Sequence, residues 1–368
     1  MKGGVYMVRK QESLAGCLLG MAAGDAMGSS VDKKSWQEIQ EAYGPNGLLG
    51  YDLTGGSADI TSYTQLALFT ANALLLAVTR GATELFSRAL QLAVREWHKS
   101  QQFRGAPEKT RCWVAQVPDL RRRLCMDTQM LDALSRETLG TPEKPVFRSG
   151  SPSSLTCALA VALCYDPEKM SENQLMRLGT EAVAFTHGQK EVYLSGAFLA
   201  LALSRLLREP NKAPAILFEE CLSVVTEKYA ETWPLETVQF KDWILAALAM
   251  TKAPALSPLE AMAQLECATA AQCVAGAVYA VSVHPANFDE AMIVSVNHSG
   301  RSAAVGAIAG AFLGAKLGAE NLPEFYLESL PSAPCLQELA KDLYDCRQVS
   351  RIFDADWDQK YVQGMPVT

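Results

Sequence analysis

Two stripes of glycine constrain the fold of this chain more than any other feature. In LAGCLLGMAAGDAMGSS, Gly16, Gly20 and Gly24 recur every four residues, and in AAVGAIAGAFLGAKLG, Gly306, Gly310 and Gly314 do the same. That period puts all three glycines of a set on one face of an α-helix. Each glycine costs a helix up to about 1 kcal/mol relative to alanine, so a repeated run needs a compensating gain. Close approach of a neighbouring backbone supplies one, and each stripe is expected to bury against another element near the core.

The same spacing occurs in membrane helix pairs, but here the longest apolar run, residues 66–78, is interrupted by Thr70 and Asn72 and is short for a bilayer. No membrane insertion is expected. Apolar residues recur at three and four positions over 14–27, 64–79, 83–99, 155–163, 174–186, 192–207, 215–228, 238–250, 259–279, 303–317 and 335–349, with no run of alternating strands. The expected fold class is all-α. Glycine and proline mark the linkers 44–56, 141–152 and 209–214. None is a long tether, and no repeat of fixed period occurs, so residues 1–368 are read as one domain, with 1–12 and 354–368 as flexible ends.

A formal net charge of -7, with only short basic clusters such as Arg121, Arg122 and Arg123, leaves no footprint for nucleic acid. The arginine run is read as a helix face in water. The segment MKGGVYMVRKQESLAG lacks the apolar core of a secretory signal, and the expected location is cytoplasmic. The 10 cysteines include no CxxC pair. Cys17, Cys157, Cys164, Cys221 and Cys273 stand in apolar stretches, as reduced thiols filling a core do. No G-x-S-x-G elbow and no GxxxxGK[ST] phosphate loop is present.

Four segments, GCLLGMAAGDAMGSSVD, TSYTQLALF, AFTHGQKEVYLSGA and VSVNHSGRSAAVGAIAGAFLGA, together resemble the ADP-ribosylglycohydrolase family in order and separation, and NLPEFY resembles its closing segment. The resemblance implies a compact, multi-helix, all-α hydrolase that cleaves the glycosidic bond between ADP-ribose and a side chain or small molecule. It also implies two divalent cations, usually magnesium, held by a Thr-Asp-Asp-Thr run at one helix start and an Asp-x-Asp-Thr run before the second glycine-rich helix. Hard cations take oxygen ligands, which suits that donor set.

The chain departs from the pattern at those positions. Thr61 and Thr64 match the threonines of the first run, while Ser62 and Tyr63 replace both aspartates. In the second run Arg301 and Ala303 replace the aspartates and Ala304 the threonine. The family's magnesium is therefore expected to be lost, and no other cofactor is implied. Asp25 matches the family's Gly-Asp-Ala segment. Asp32 falls where relatives carry a glutamate near the scissile bond, and is the candidate catalytic residue.

Asp25, Thr61, Ser62, Tyr63, His187, His298 and Arg301 are the expected cleft residues. Arg301 has two readings: its guanidinium binds a ligand anion in place of metal, or it pairs internally with Asp25 or Asp32. Tyr63 either stacks on a ligand or fills the volume left by metal and carboxylates. His187 matches a segment near the substrate in relatives, but a lone histidine is more often structural. Asp59 is read as the N-cap of the helix that follows, and His98 and His284 as surface or turn residues.

Three functions follow from the resemblance. The first is a pseudoenzyme binding an ADP-ribose-like small molecule, another nucleotide or an ADP-ribosylated protein. The second is a metal-independent hydrolase using Asp32 and Arg301. The third is a structural or interaction protein whose cleft Tyr63 and Arg301 fill.

Overall fold

The computed structural model of the chain describes residues 10–79, 85–102, 110–253, 255–345 and 355–361. In chain order the α-helices are α1 (Gln11–Ser29), α2 (Trp36–Tyr43), α3 (Ser62–Thr79), α4 (Phe86–Gln102), α5 (Thr128–Ser135), α6 (Leu155–Leu163), α7 (Glu172–Ala184), α8 (Lys190–Arg208) and α9 (Pro214–Tyr229). They continue as α10 (Pro234–Met250), α11 (Pro258–Leu265), α12 (Ala270–Val283), α13 (Phe288–Val296), α14 (Ser302–Leu317), α15 (Glu324–Glu328), α16 (Ala333–Asp345) and α17 (Ala355–Tyr361). No strand occurs among the described residues.

The two glycine stripes pack on each other. Gly16 faces Gly314, Gly20 faces Gly310 and Gly24 faces Gly306, so α1 and α14 run antiparallel. A methyl group added at any of the six would collide with the carbonyl oxygen of its partner. Only glycine permits this approach, and the contact along two long apolar helices offsets its propensity cost. Both helices are buried on nearly every face. The same device joins α7 to α8 through Gly179 and Gly196.

The antiparallel pairing decides where the site lies. It brings the C-terminal end of α1, with Asp25, beside the N-terminal end of α14, with Arg301, and Gly28 abuts Ser302. The start of α3 is tied to the same place by hydrogen bonds to Asp25.

Several sequence expectations need correction. Residues 259–279 form two helices, because Glu266 and Cys267 take positive φ values of 58° and 51° between α11 and α12. His98 lies buried on α4, whereas His284 ends α12 as expected of a turn residue. Arg121 belongs to a short 3-10 turn, Pro118–Arg121, and not to an exposed α-helix. In the C-terminal tail, Tyr361 of α17 is buried and donates to Asp342 Oδ2 at 2.7 Å. Residues 1–9, 346–354 and 362–368 lie outside the described residues, as does position 83, where one helix was expected to begin.

Among the described residues α3 alone is long and apolar enough to cross a membrane. It is 83% buried inside the protein, which is the environment of a core helix. All nine described cysteines are buried.

Candidate functional site

Asp25 is fully buried, and its carboxylate is saturated. It accepts hydrogen bonds from the Thr61 amide (2.8 Å), the Thr61 hydroxyl (2.6 Å), the Thr64 amide (3.1 Å) and the Thr64 hydroxyl (2.6 Å). Asp25 thus caps the first turn of α3 from another helix, with a negative charge at the positive end of the helix dipole. Burial pushes its pKa up to about 6 against the pull of these four donors. Asp59 does not cap α3. It pairs at the surface with Arg122 at 2.6 Å.

Asp32 plays a parallel role on α14. Its Oδ1 accepts the Ala303 amide at 3.2 Å, in the first turn, and its Oδ2 lies 3.8 Å from Arg301 Nε. The side chain is 20% exposed, and burial raises its pKa against the attraction of the guanidinium and the Ala303 hydrogen bond. Arg301 pairs with Asp32, as one of its readings expects, and not with Asp25. Its NH2 group donates to the Tyr63 hydroxyl at 3.2 Å. Tyr63 is 4% exposed, and burial raises its phenol pKa, so it stays a neutral hydroxyl.

Arg301 is aimed by backbone contacts. Its amide donates to the Cys267 carbonyl at 2.8 Å, and Cys273 Sγ donates to the same oxygen at 3.2 Å. The left-handed turn at Glu266 and Cys267 therefore lies under the residue that the sequence singled out, although nothing in the local sequence announces that turn. His298 holds the other side. Its Nδ1 accepts the Gly300 amide at 3.0 Å, and its Nε2 meets the Ser295 carbonyl at 3.0 Å. These partners fix the neutral tautomer with the proton on Nε2. Burial accordingly pushes the His298 pKa down to about 4.

His187 belongs to a separate polar cluster. Its Nδ1 lies 2.7 Å from the Thr186 hydroxyl and 3.0 Å from Ser154 Oγ. Its buried Nε2 has no hydrogen-bond partner and stands 3.8 Å from Asp127 Oδ2. Asp127 caps α5 through the Met130 amide and accepts Ser153 Oγ at 2.7 Å. Burial raises its pKa, but the interactions of His187, Ser153 and Met130 outweigh that and hold it well below the usual range. Asp127, Ser153 and Ser154 were missed in the sequence, although three serines in SPSS and an acidic N-cap before α5 were legible there.

The donor set around Ser62, Tyr63, Arg301, Ala303 and Ala304 does not fit a divalent cation. It offers a neutral phenol, one serine hydroxyl, two methyl groups and a fixed positive charge. Asp25 is engaged by the start of α3, and Asp32 holds the Ala303 amide and faces Arg301, so little remains to offset the desolvation of magnesium. Among the described residues no three His, Cys, Asp or Glu side chains converge as a ligand group.

The ADP-ribosylglycohydrolase family profile matches residues 7–352. The chain belongs to the ADP-ribosylglycohydrolase family. A solved structure described as an ADP-ribosylglycohydrolase-related protein complex is similar at 22% identity and a TM-score of 0.55, covering 91% of this chain and 98% of its own. At that identity the likeness speaks for the fold alone. No curated protein matches the chain. Residues 61–64 open α3 and are tied to α1 through Asp25, while residues 301–304 open α14.

Proposed function

We propose that this family member is a pseudoenzyme, in which the dinuclear magnesium site has given way to a cluster of Arg301, Tyr63 and Asp32. It binds ADP-ribose, another nucleotide or an ADP-ribosylated protein in the cytoplasm without metal-dependent turnover. The observation that carries this reading is the guanidinium of Arg301, hydrogen-bonded to Tyr63 and facing Asp32 where the family places carboxylates. A fixed cation there supplies positive charge to a ligand anion and repels a metal ion.

Isothermal titration of ADP-ribose, with magnesium and again with a chelator, tests the reading. Binding that ignores the chelator is the expected result. Binding only with magnesium would overturn it. Silence in both titrations would favour the third function, a structural protein whose cleft is filled by the buried Tyr63 and by Arg301.

One observation favours the hydrolase reading. Asp32 is partly exposed and burial raises its pKa, the direction that a general acid needs. Release of free ADP-ribose from ADP-ribosylated peptides in chelator, abolished by Asp32→Asn, would establish that activity.

A further inference from the structure

Helix α10 is apolar on two faces. Thr237, Phe240, Ile244, Ala247 and Leu248 are buried on one side. The opposite side leaves apolar groups in solvent: Leu235, Val238 and Leu245 are 66%, 55% and 37% exposed, and Ala249 is exposed beyond them. With Asp242, also exposed, these positions advance by three and four residues in turn over 235–249. That is the seam of a helix that packs on another helix. Ile216 and Leu259, exposed as well, lie on α9 and α11, which both contact α10. Single exposed apolar residues need no explanation, but a seam of them does.

The charges on the seam indicate what covers it. Lys241 and Asp242 stand side by side at its middle, both are exposed, and neither makes an ion pair among the described residues. Consecutive residues point about 100° apart around a helix, so these two do not face each other. A second α10, run antiparallel about a two-fold axis beside positions 241 and 242, supplies the missing partners. Val238 of one copy then lies opposite Leu245 of the other, Leu235 lies opposite the end around Ala249, and Lys241 of each copy lies opposite Asp242 of the other. The contact is self-complementary, as a two-fold interface must be, and it opposes the two helix dipoles. A parallel pair would set like charges against each other at the centre.

A lipid surface fits less well. Interfacial helices carry several lysines or arginines beside the apolar face, whereas α10 has one lysine against Glu236 and Asp242.

We infer that α10 forms the two-fold contact of a homodimer, in which the exposed seam of one copy covers that of the other. A helix of 17 residues is about 25 Å long and about 10 Å wide, less than the roughly 800 Å2 that each partner gives to a stable interface. The association is therefore reversible and concentration dependent. It shares no residue with the Arg301 cluster and is independent of the ADP-ribose reading.

Sedimentation velocity of the full chain across the micromolar range tests the inference. A monomer–dimer equilibrium is expected, with its dissociation constant raised about tenfold or more by Leu235→Ser with Leu245→Ser. Lys241→Glu and Asp242→Lys should each weaken it as well, because each sets like charges at the centre. Mixed together, these two variants should associate, the acidic seam of one on the basic seam of the other. Circular dichroism melting keeps folding separate, and the two charge reversals serve if the serine variant fails to fold. A chain that is monomeric throughout would overturn the inference, as would a dimer indifferent to these substitutions or mixed variants that stay apart. Adsorption of a monomeric chain to phosphatidylserine vesicles would assign the seam to lipid instead.

Discussion

The guanidinium of Arg301 donates to the hydroxyl of Tyr63 at 3.2 Å, across 238 residues of sequence. Tyr63 is the third residue of the first expected metal run and Arg301 the first of the second, so the two departures meet in one hydrogen bond, while the buried Nε of Arg301 has no hydrogen-bond partner. A buried phenol and a partly buried guanidinium would each be costly alone.

Removing either partner should therefore cost stability through the other. Arg301→Ala and Tyr63→Phe should each destabilise by about 1–2 kcal/mol, and the double variant by less than the sum. Urea unfolding of the four species measures the coupling. Strict additivity would mean that the contact contributes nothing. A ligand role for Arg301 would show separately, as lost ADP-ribose binding at a melting temperature near that of the unaltered protein.

Restoring the carboxylates should bring back magnesium. The combined substitution Ser62→Asp, Tyr63→Asp, Arg301→Asp and Ala303→Asp replaces a hydroxyl, a phenol, a cation and a methyl group by four carboxylates at the starts of α3 and α14. Calorimetric titration with magnesium should show heat that the unaltered protein lacks, and magnesium should raise the melting temperature of the variant. A folded variant with no affinity would show that the two runs are aligned wrongly.

His298 should make the fold acid-sensitive. Its folded pKa of about 4 lies below the ordinary histidine value of about 6.5. Between those values the unfolded chain binds a proton that the native state refuses, so its contribution is complete above about pH 6.5 and is lost as pH falls toward 4. Asp25, raised to about 6, acts in the opposite sense: its contribution is lost as pH rises from about 4 to 6. The difference in unfolding free energy between the protein and His298→Gln isolates the histidine, and should grow with pH across that window. A flat difference would mean that His298 does not titrate there.

The α1–α14 contact should tolerate no side chain. Gly310→Ala adds a methyl group facing the Gly20 carbonyl oxygen, with backbone on both sides and no flexible atom to yield. Its helix-propensity gain of about 1 kcal/mol should be outweighed by an overpacking cost of about 1–3 kcal/mol or more. Chemical denaturation measures the sum. Net stabilisation would show that the helices can separate cheaply.

The local signals read well where they were periodic. Helix 155–163 was placed to the residue, because apolar spacing is a property of the segment alone. The short helices α2, α5, α13, α15 and α17 are not picked out, since five to nine residues carry few turns and, unlike the nine of α6, are not almost wholly apolar. The departure of residues 62, 63, 301 and 303 from the family pattern is a reading of the sequence alone, because a motif is a local string. The Asp127–His187 cluster was not legible, because its members come from separate segments of the chain.

The sequence by itself determined the all-α class, the family and the two glycine stripes, since these rest on residue spacing along one chain. Only the tertiary structure decided that the stripes face each other, that Asp25 caps a helix other than its own and Asp32 caps α14 from a turn, and that Arg301 turns to Tyr63 and Asp32 instead of Asp25. A carboxylate or guanidinium must be satisfied wherever the packing of helices leaves it. Which partner lies within reach is set by the register of α1 against α14, which no single segment specifies.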